Sequence, residues 1–241
     1  MTRSIAALAL ALSAARLAAA GLPDPGPFDA VLAARARDGG FDYRGTTGQD
    51  RKRLAAYLAN LGDADVEALS GGERVAFFIN AYNALAIETL LDNPGRRIVD
   101  IDGAFQTRKH RVGGRMRTLD EIENELRGAR DARIHFAIVC ASRSCPPLAA
   151  RAYRAEGLSE ALDRQARLFL NDPARNVFDR GKGRVALSMI FRWNREEFER
   201  GGGTLPGYVA RFVSDRPTAS WLSSFPGEPE FLEYDWSPNQ P

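Results

Sequence analysis

The segment "SGGERVAFFINAYNALAIETLLDNPG", residues 70–95, restricts the possible folds more than any other part of the chain. Ser70 and Glu73 have the spacing of a capping box, in which each side chain bonds the other's backbone N–H and opens a helix. Asn93, Pro94 and Gly95 close it, because proline cannot continue a helix and glycine readily turns the chain out of one. Over 75–91 the segment is apolar nearly all round, which predicts a central helix with no solvent face. Asn80 and Asn83 interrupt that pattern and, three apart, share a face. A buried amide without hydrogen bonds costs about 1–3 kcal/mol, so the pair either pins neighbouring loops or lines a site. Tyr82 lies on a different face and has a hydroxyl for a second partner.

Other elements arrange themselves around this helix. A short helix is expected in "FDAVLAARARDGG", and Asp50 is expected to cap a second that puts Leu54, Tyr57, Leu58 and Leu61 on one face. A shorter helix follows at 64–69. Val112-Gly113-Gly114-Arg115 reads as a two-residue hairpin turn, and Thr118 with Glu121 as a further capping box. "ARIHFAIVC" is short, apolar and rich in β-branched residues, so it reads as a buried strand over 134–140. "CPPLAARAY" reads as a turn entering a helix, since proline suits the first helical position. An amphipathic helix is expected over 159–170, strands over 185–191 and 231–236, a helical turn in "NREEFER" and a helix in "LPGYVARFV". The expected fold is α+β: about six helices packed around a small central sheet.

The first residues fit export better than folding. "MTRSIAALALALSAARLAAAG" has a basic start, an apolar run over 5–15 and a small-residue end, the pattern of a secretory signal peptide cut after Ala20. Arg16 leaves the run too short for a membrane span, so no stable span is expected after cleavage. The division expected is therefore 1–20 signal, 21–72 an arm with helices, and 73–241 the main domain, the last two packed as one unit. Cleavage removes Arg3 and Arg16 from a chain with 33 Lys+Arg and 31 Asp+Glu. The near-neutral result does not point to nucleic acid as a partner. A small molecule or peptide substrate, and a homo-oligomer, stay open as partners.

Chemistry concentrates in "HFAIVCASRSCPP", residues 135–147, which holds both cysteines and one of the two histidines. At the entrance of a helix Cys145 would feel the partial positive charge of free N–H groups, which favours a thiolate. Arg143 adds positive charge, and the amides of 143–145, with Ser144, would form an oxyanion cradle. On a regular strand His135 and Cys140 would face opposite ways, roughly 16 Å apart at about 3.3 Å per residue. His135 would then serve Cys145 as base only if the loop reverses; His110, on the basic hairpin, is the other source. In an oxidising compartment the two cysteines are also spaced to close a disulfide. The spacing of His110, His135, Cys140 and Cys145 matches no zinc pattern, so no metal or cofactor is expected.

"FFINAYNALAI", "GGRMRTLDEIENEL", "RIHFAIVCASRSCPPLAARAY", "ARLFLNDPARN" and "YDWSPN", in this order, resemble domain-of-unknown-function family 547 from about Glu73 to the C-terminus. The resemblance draws attention to Asn80, Tyr82 and Asn83, to His135, Cys140, Ser144, Cys145 and Pro146, and to Asp235 and Trp236. Relatives of this kind are exported in bacteria and fused to leucine-zipper, glutaredoxin-like or DEP-type regions in eukaryotes, which implies an association with redox chemistry or regulation. The sequence departs from the family's pattern where relatives often carry Trp within "GAFQTRKH" and His at Asn124. Three functions follow as expectations for an exported domain. One is a cysteine-dependent hydrolase or acyltransferase with Cys145 as nucleophile, His135 as base and Asn80, Asn83 and Cys140 in support. Tyr82, Arg143, Ser144 and His110 would then bind substrate. The others are a non-catalytic envelope binding or assembly protein with a Cys140–Cys145 bridge, and a thiol–disulfide redox protein.

Overall fold

The computed structural model describes residues 22–200 and 203–241. The signal-peptide segment lies outside the described residues. Helices α1 (Gly26–Arg35) and α2 (Gly48–Asp63) are separated by a ribbon of β1 (Ala36–Arg37) and β2 (Gly40–Phe41). The cap of helix α2 is not Asp50. Thr47 is the N-cap, and Asp50, three residues on, returns its carboxylate to the Thr47 N–H.

Helix α3 (Gly71–Asp92) starts in the Ser70/Glu73 capping box, and every residue from Ala76 to Ile87 is buried. It packs against α2 and against α4 (Leu119–Arg127), itself opened by the Thr118/Glu121 box. Between them stands the hairpin of β3 (His110–Val112) and β4 (Arg115–Arg117). Its turn needs glycine twice, with φ of 57° at Gly113 and 72° at Gly114. After α5 (Leu158–Leu170), β5 (Val177–Asp179) and β6 (Arg184–Leu187) form an antiparallel pair. Four short helices follow: α6 (Met189–Trp193), α7 (Arg195–Phe198), α8 (Leu205–Ala210) and α9 (Arg216–Ser223). The last strand, β7 (Glu230–Phe231), pairs parallel with β6. Helix α9 has a legible start in "DRP", where Asp215 caps and Pro217 enters the first turn, but it was not among the expected elements.

The chain is mixed α+β, and among the described residues its strands form three small separate sheets. One apolar cluster joins Phe28, Leu54 and Leu61 of the first two helices to Phe77, Phe78 and Leu85 of α3 and to Ile122 of α4. A second gathers Phe136, Phe169, Phe191, Phe198 and Leu222. The candidate site lies where the segment after Phe136 passes from one cluster to the other.

Three expectations are corrected there. Residues 134–140 are not a strand: Ala132–Phe136 is a 3₁₀ turn capped by Asp131, and 137–140 is irregular. The reason lies in where the backbone groups bond. The N–H groups of Ala137 and Ile138 return to the Ile134 carbonyl, while Asn83 takes the Ala137 carbonyl and the Val139 N–H. With its polar groups met by its own turn and by a side chain, the segment needs no neighbouring strand. Nor does Cys145 enter a helix, since no helix begins until Leu158. Finally, 185–191 is strand only as far as Leu187, and 231–236 only at Phe231. Ser188 caps α6, which takes Phe191 into a helix.

Candidate functional site

The loop 140–145 is shaped by one unusual backbone position. Ala141 has φ of 64°, in the left-handed region that residues with a Cβ rarely enter. The turn this makes, together with the Cys145 N–H donating to the Ser142 carbonyl, folds Cys145 back onto Cys140. The Cys140 N–H donates to the Cys145 Sγ at 3.1 Å. Both cysteines are free and not at bonding distance, so the expected bridge is not formed in this structure.

Three segments far apart in sequence hold the loop. The Arg143 N–H donates to the Ser237 carbonyl and the Ser144 N–H to the Asp235 carbonyl, while the Ser144 Oγ accepts from the Asp235 N–H. The Asn239 N–H donates to the Ala141 carbonyl, and the Asn239 carbonyl accepts from the Phe41 N–H. Arg175 donates to the carbonyls of Cys145 and Arg143. The N–H groups of 143–145 are therefore all used inside the protein, and the expected oxyanion cradle is not free there. The Arg143 side chain is exposed and turned to Asp235, 3.7 Å away.

The two thiols differ. Cys145 is buried and Cys140 half-buried. The Tyr234 hydroxyl is 3.4 Å from the Cys140 Sγ and 3.2 Å from the Cys145 Sγ, within reach of both. The Ser142 Oγ is 3.5 Å from the Cys140 Sγ. The hydrogen bond with Cys145 does most to bring the Cys140 pKa down to about 7; burial opposes it, and Ser142 and Tyr234 help. Burial, followed by the bond to Cys140 and the charge there, pushes the Cys145 thiol well above its usual range. The two thiols are thus shifted in opposite directions, Cys140 down and Cys145 up. Sequence reasoning had favoured Cys145, on the strength of the helix entrance that is absent.

Both sulfurs line a cavity of about 180 Å³ with Tyr82, Phe105, Glu123, His135, Ile138, Pro146, Ile190, Trp193, Asn194, Tyr234 and Trp236. Three of its aromatic rings pack on one another: Tyr234 on Trp236 at 4.5 Å, Trp193 on Tyr234 at 4.9 Å and Trp193 on Trp236 at 5.7 Å between centroids. Once the strand is gone, His135 and Cys140 no longer face opposite ways, and both reach this cavity. His135 is nevertheless engaged elsewhere: its Nε2 is 3.1 Å from the Glu197 carboxylate, its Nδ1 3.9 Å from Glu123, and its ring packs on Phe198. No hydrogen bond joins it to either sulfur among the described contacts. Arg127 bonds Glu123, Glu197 and Asn194, completing a charged group beside the cavity. The Glu197 carboxyl is held below its ordinary value: burial raises it, but the bond and charge of His135 and the charge of Arg127 outweigh that.

Asn80 and Asn83 each satisfy two backbone groups. Asn80 takes the Tyr153 carbonyl and N–H, and Asn83 those of Ala137 and Val139, leading directly into Cys140. They brace the site from behind, whereas Tyr82 lines it. His110 sits in β3 with a buried, unpartnered Nε2 and is not among the cavity residues. Burial, then the charge of Arg108, lowers its pKa. Among the described residues no group of three or more His, Cys, Asp or Glu side chains is arranged to hold a metal ion. Sequence reasoning passed over Tyr234, Trp193, Glu123 and Glu197. "YDW" was visible as an aromatic cluster, but nothing in a one-dimensional pattern joins it to cysteines some 90 residues earlier.

Residues 66–170 match the family model described as "Protein of unknown function, DUF547". This segment, under half of the chain, is similar to DUF547. The DUF547 match holds α3, α4, the thiol loop and α5. It ends before Trp193, Glu197, Tyr234 and Trp236, so the opposite wall of the cavity and the "YDWSPN" segment lie outside it. No curated protein and no solved structure matches this chain.

Proposed function

We propose that this protein is an exported thiol–disulfide redox protein, with Cys140 as the attacking thiol and Cys145 as the resolving one. The observation that carries the reading is the inequality of the pair: a half-buried, acidic Cys140 bonded to a buried Cys145 that keeps its proton. Exchange needs that division, because the attacking sulfur must be an accessible thiolate near ambient pH and the second must wait for the mixed disulfide. The N-terminal segment, read as a secretory signal, supports an oxidising compartment in which disulfides persist.

The chemistry balances without a metal. The Cys140 thiolate attacks one sulfur of a substrate disulfide, the S–S bond breaks, and the first substrate thiolate leaves and takes up a proton. Cys145 then loses its proton and attacks the Cys140 Sγ. The second substrate thiol departs as a Cys140–Cys145 bond forms. Substrate gains two electrons and the protein loses two; a dithiol reductant reverses this. The Tyr234 hydroxyl, within reach of both sulfurs, donates to whichever carries the charge.

Exchange has more support than acyl transfer. The latter calls for an imidazole on the nucleophile and free donors for an oxyanion, whereas His135 bonds Glu197 and the amides of 143–145 are occupied.

The test uses 2-hydroxyethyl disulfide, which is small and uncharged. Intact mass should show the reduced protein losing two hydrogens with no retained adduct, while Cys145→Ser accumulates the mixed disulfide at Cys140. A wild-type protein that keeps the adduct, or one that reacts first at Cys145, would overturn the assignment.

A further inference from the structure

The cavity has an electrostatic character that the exchange reading does not by itself require. Among the described residues, no lysine or arginine lines it, although the chain has 33 Lys+Arg. Its ionisable lining groups are Glu123, His135 and the two thiols, with Tyr82 and Tyr234 kept as phenols by burial, which raises both well above the ordinary value. Arg127 is paired to Glu123 and Glu197 and is not a lining residue. The remaining walls are mainly aromatic, with Phe105, Trp193, Tyr234 and Trp236 among them. Aromatic faces attract cations through the ring quadrupole, and tryptophan does so best. A carboxylate or phosphate entering this space would meet Glu123, the two sulfurs and ring faces, with His135 already turned to Glu197 and no lysine or arginine among the lining residues to receive it.

We propose that the cavity selects a small organic ammonium ion, held between Glu123 and the faces of Trp193 and Trp236, and that the disulfide presented to Cys140 is that of a small aminothiol. The second half rests on the exchange reading; the first does not. Size agrees with it. The space is about 180 Å³, and a cavity of roughly 150 Å³ accepts a benzene ring. A ligand of about six to eight non-hydrogen atoms therefore fits, by the same comparison. An aminothiol disulfide of two-carbon arms is of this size, and its central sulfurs stand a few bonds from each ammonium. The ammonium at the aromatic wall and the disulfide at Cys140 can thus be held in one cavity.

The two halves are tested separately. Binding is read in the Cys140→Ser protein from tryptophan emission, since two of the chain's three tryptophans line the cavity. The probes are propylammonium, propanol and propionate, alike in size and different in charge. Propylammonium should bind more tightly than propanol, and propionate more weakly than either. Glu123→Gln should weaken propylammonium about 2- to 30-fold and leave propanol unchanged, a range set by a single cation–aromatic or charge contact. Trp193→Leu, at a half-exposed position, should act in the same direction without disturbing the fold. Propionate binding as tightly as propylammonium, or propylammonium indifferent to both substitutions, overturns the ammonium site.

Exchange is then read in the wild type with cystamine, 2-hydroxyethyl disulfide and dithiodiglycolate, each rate divided by that of the same disulfide with a free alkyl thiol. Cystamine should be fastest and dithiodiglycolate slowest. Equal normalised rates overturn the aminothiol assignment while leaving exchange intact. Tight propylammonium binding with no disulfide reduced would overturn the exchange reading and the aminothiol substrate, and leave the ammonium site standing.

Discussion

Cys140 owes its acidity to a few named atoms, and those atoms can be changed one at a time. Its pKa falls from the usual 9.0 to about 7, so it is a thiol below that pH and a thiolate above it. Alkylation of Cys140 should therefore rise through pH 7, well before an ordinary thiol ionises. Tyr234→Phe removes a hydroxyl that stabilises the thiolate and so moves the pKa up. A net hydrogen bond of about 1 kcal/mol corresponds to about 0.7 of a pKa unit. The midpoint of the rate profile should shift upward by roughly that amount, as measured by iodoacetamide labelling and peptide mass. An unmoved midpoint would mean that the hydroxyl takes no part. At this scale the sequence was only partly legible. The spacing of Asn80 and Asn83 gave their shared face, but not the backbone groups they bind. The β-branched run before Cys140 suggested a strand, because a pattern cannot reveal that Asn83 will satisfy its Val139 N–H and Ala137 carbonyl. Asp131, the cap of the 3₁₀ turn, was the overlooked local signal.

Elements with a strong local start were the most readable. The Ser70/Glu73 and Thr118/Glu121 boxes open α3 and α4 as the spacing predicts, and Gly113–Gly114 makes the hairpin turn. The exception is instructive. Asp50 was expected to be a cap and is the third residue of a box begun by Thr47. There it accepts from the Thr47 N–H and hydroxyl and from Arg35. Asp50 is buried, as is most of Arg35, so the pair ties α1 to the start of α2. Burial raises the Asp50 carboxyl, but the Thr47 and Arg35 contacts together bring it below the ordinary 3.8. A lowered pKa gives a contribution that is present above the unfolded value and lost as pH falls through the folded one. Asp50 should therefore stabilise α2 at neutral pH and begin to lose that contribution as pH falls below about 4, near the ordinary carboxylate value. Asp50→Asn keeps the shape but leaves Arg35 without its nearest charge. Breaking such a buried pair costs about 3–5 kcal/mol, and urea denaturation at pH 7 should show a loss of this order. The difference from wild type should shrink as the pH is lowered toward 3. A loss that stays constant with pH would mean that packing, not charge, ties α1 to α2.

Across the whole molecule, the site depends on residues near both ends of the described chain. The Phe41 N–H bonds the Asn239 carbonyl, the Tyr43 hydroxyl bonds the Asn239 side chain, and the Asn239 N–H bonds the Ala141 carbonyl beside Cys140. Leu148, just past the thiol loop, donates its N–H to the Gly39 carbonyl. These contacts join segments about 100 and 200 residues apart, which is why no local pattern could show them. The matched DUF547 segment supplies the loop, and the strap that holds it comes from outside that segment. Gly40 is the position where this arrangement is most easily tested. A Cβ there would stand 1.9 Å from the Asn239 carbonyl oxygen, a backbone atom that cannot rotate away. Gly40→Ala should therefore lift the strap and leave the two apolar clusters, which do not include it, intact. Helical circular dichroism should stay close to that of the wild type. Hydrogen exchange should quicken at Phe41, Arg143 and Ser144, whose N–H groups lose their carbonyl partners. Cys145, normally buried, should become open to alkylation, and the pH profile of Cys140 should move toward that of an ordinary thiol. If exchange quickens at Phe41 alone while both thiols keep their native reactivity, the strap is dispensable and the left-handed turn at Ala141 holds the loop without it.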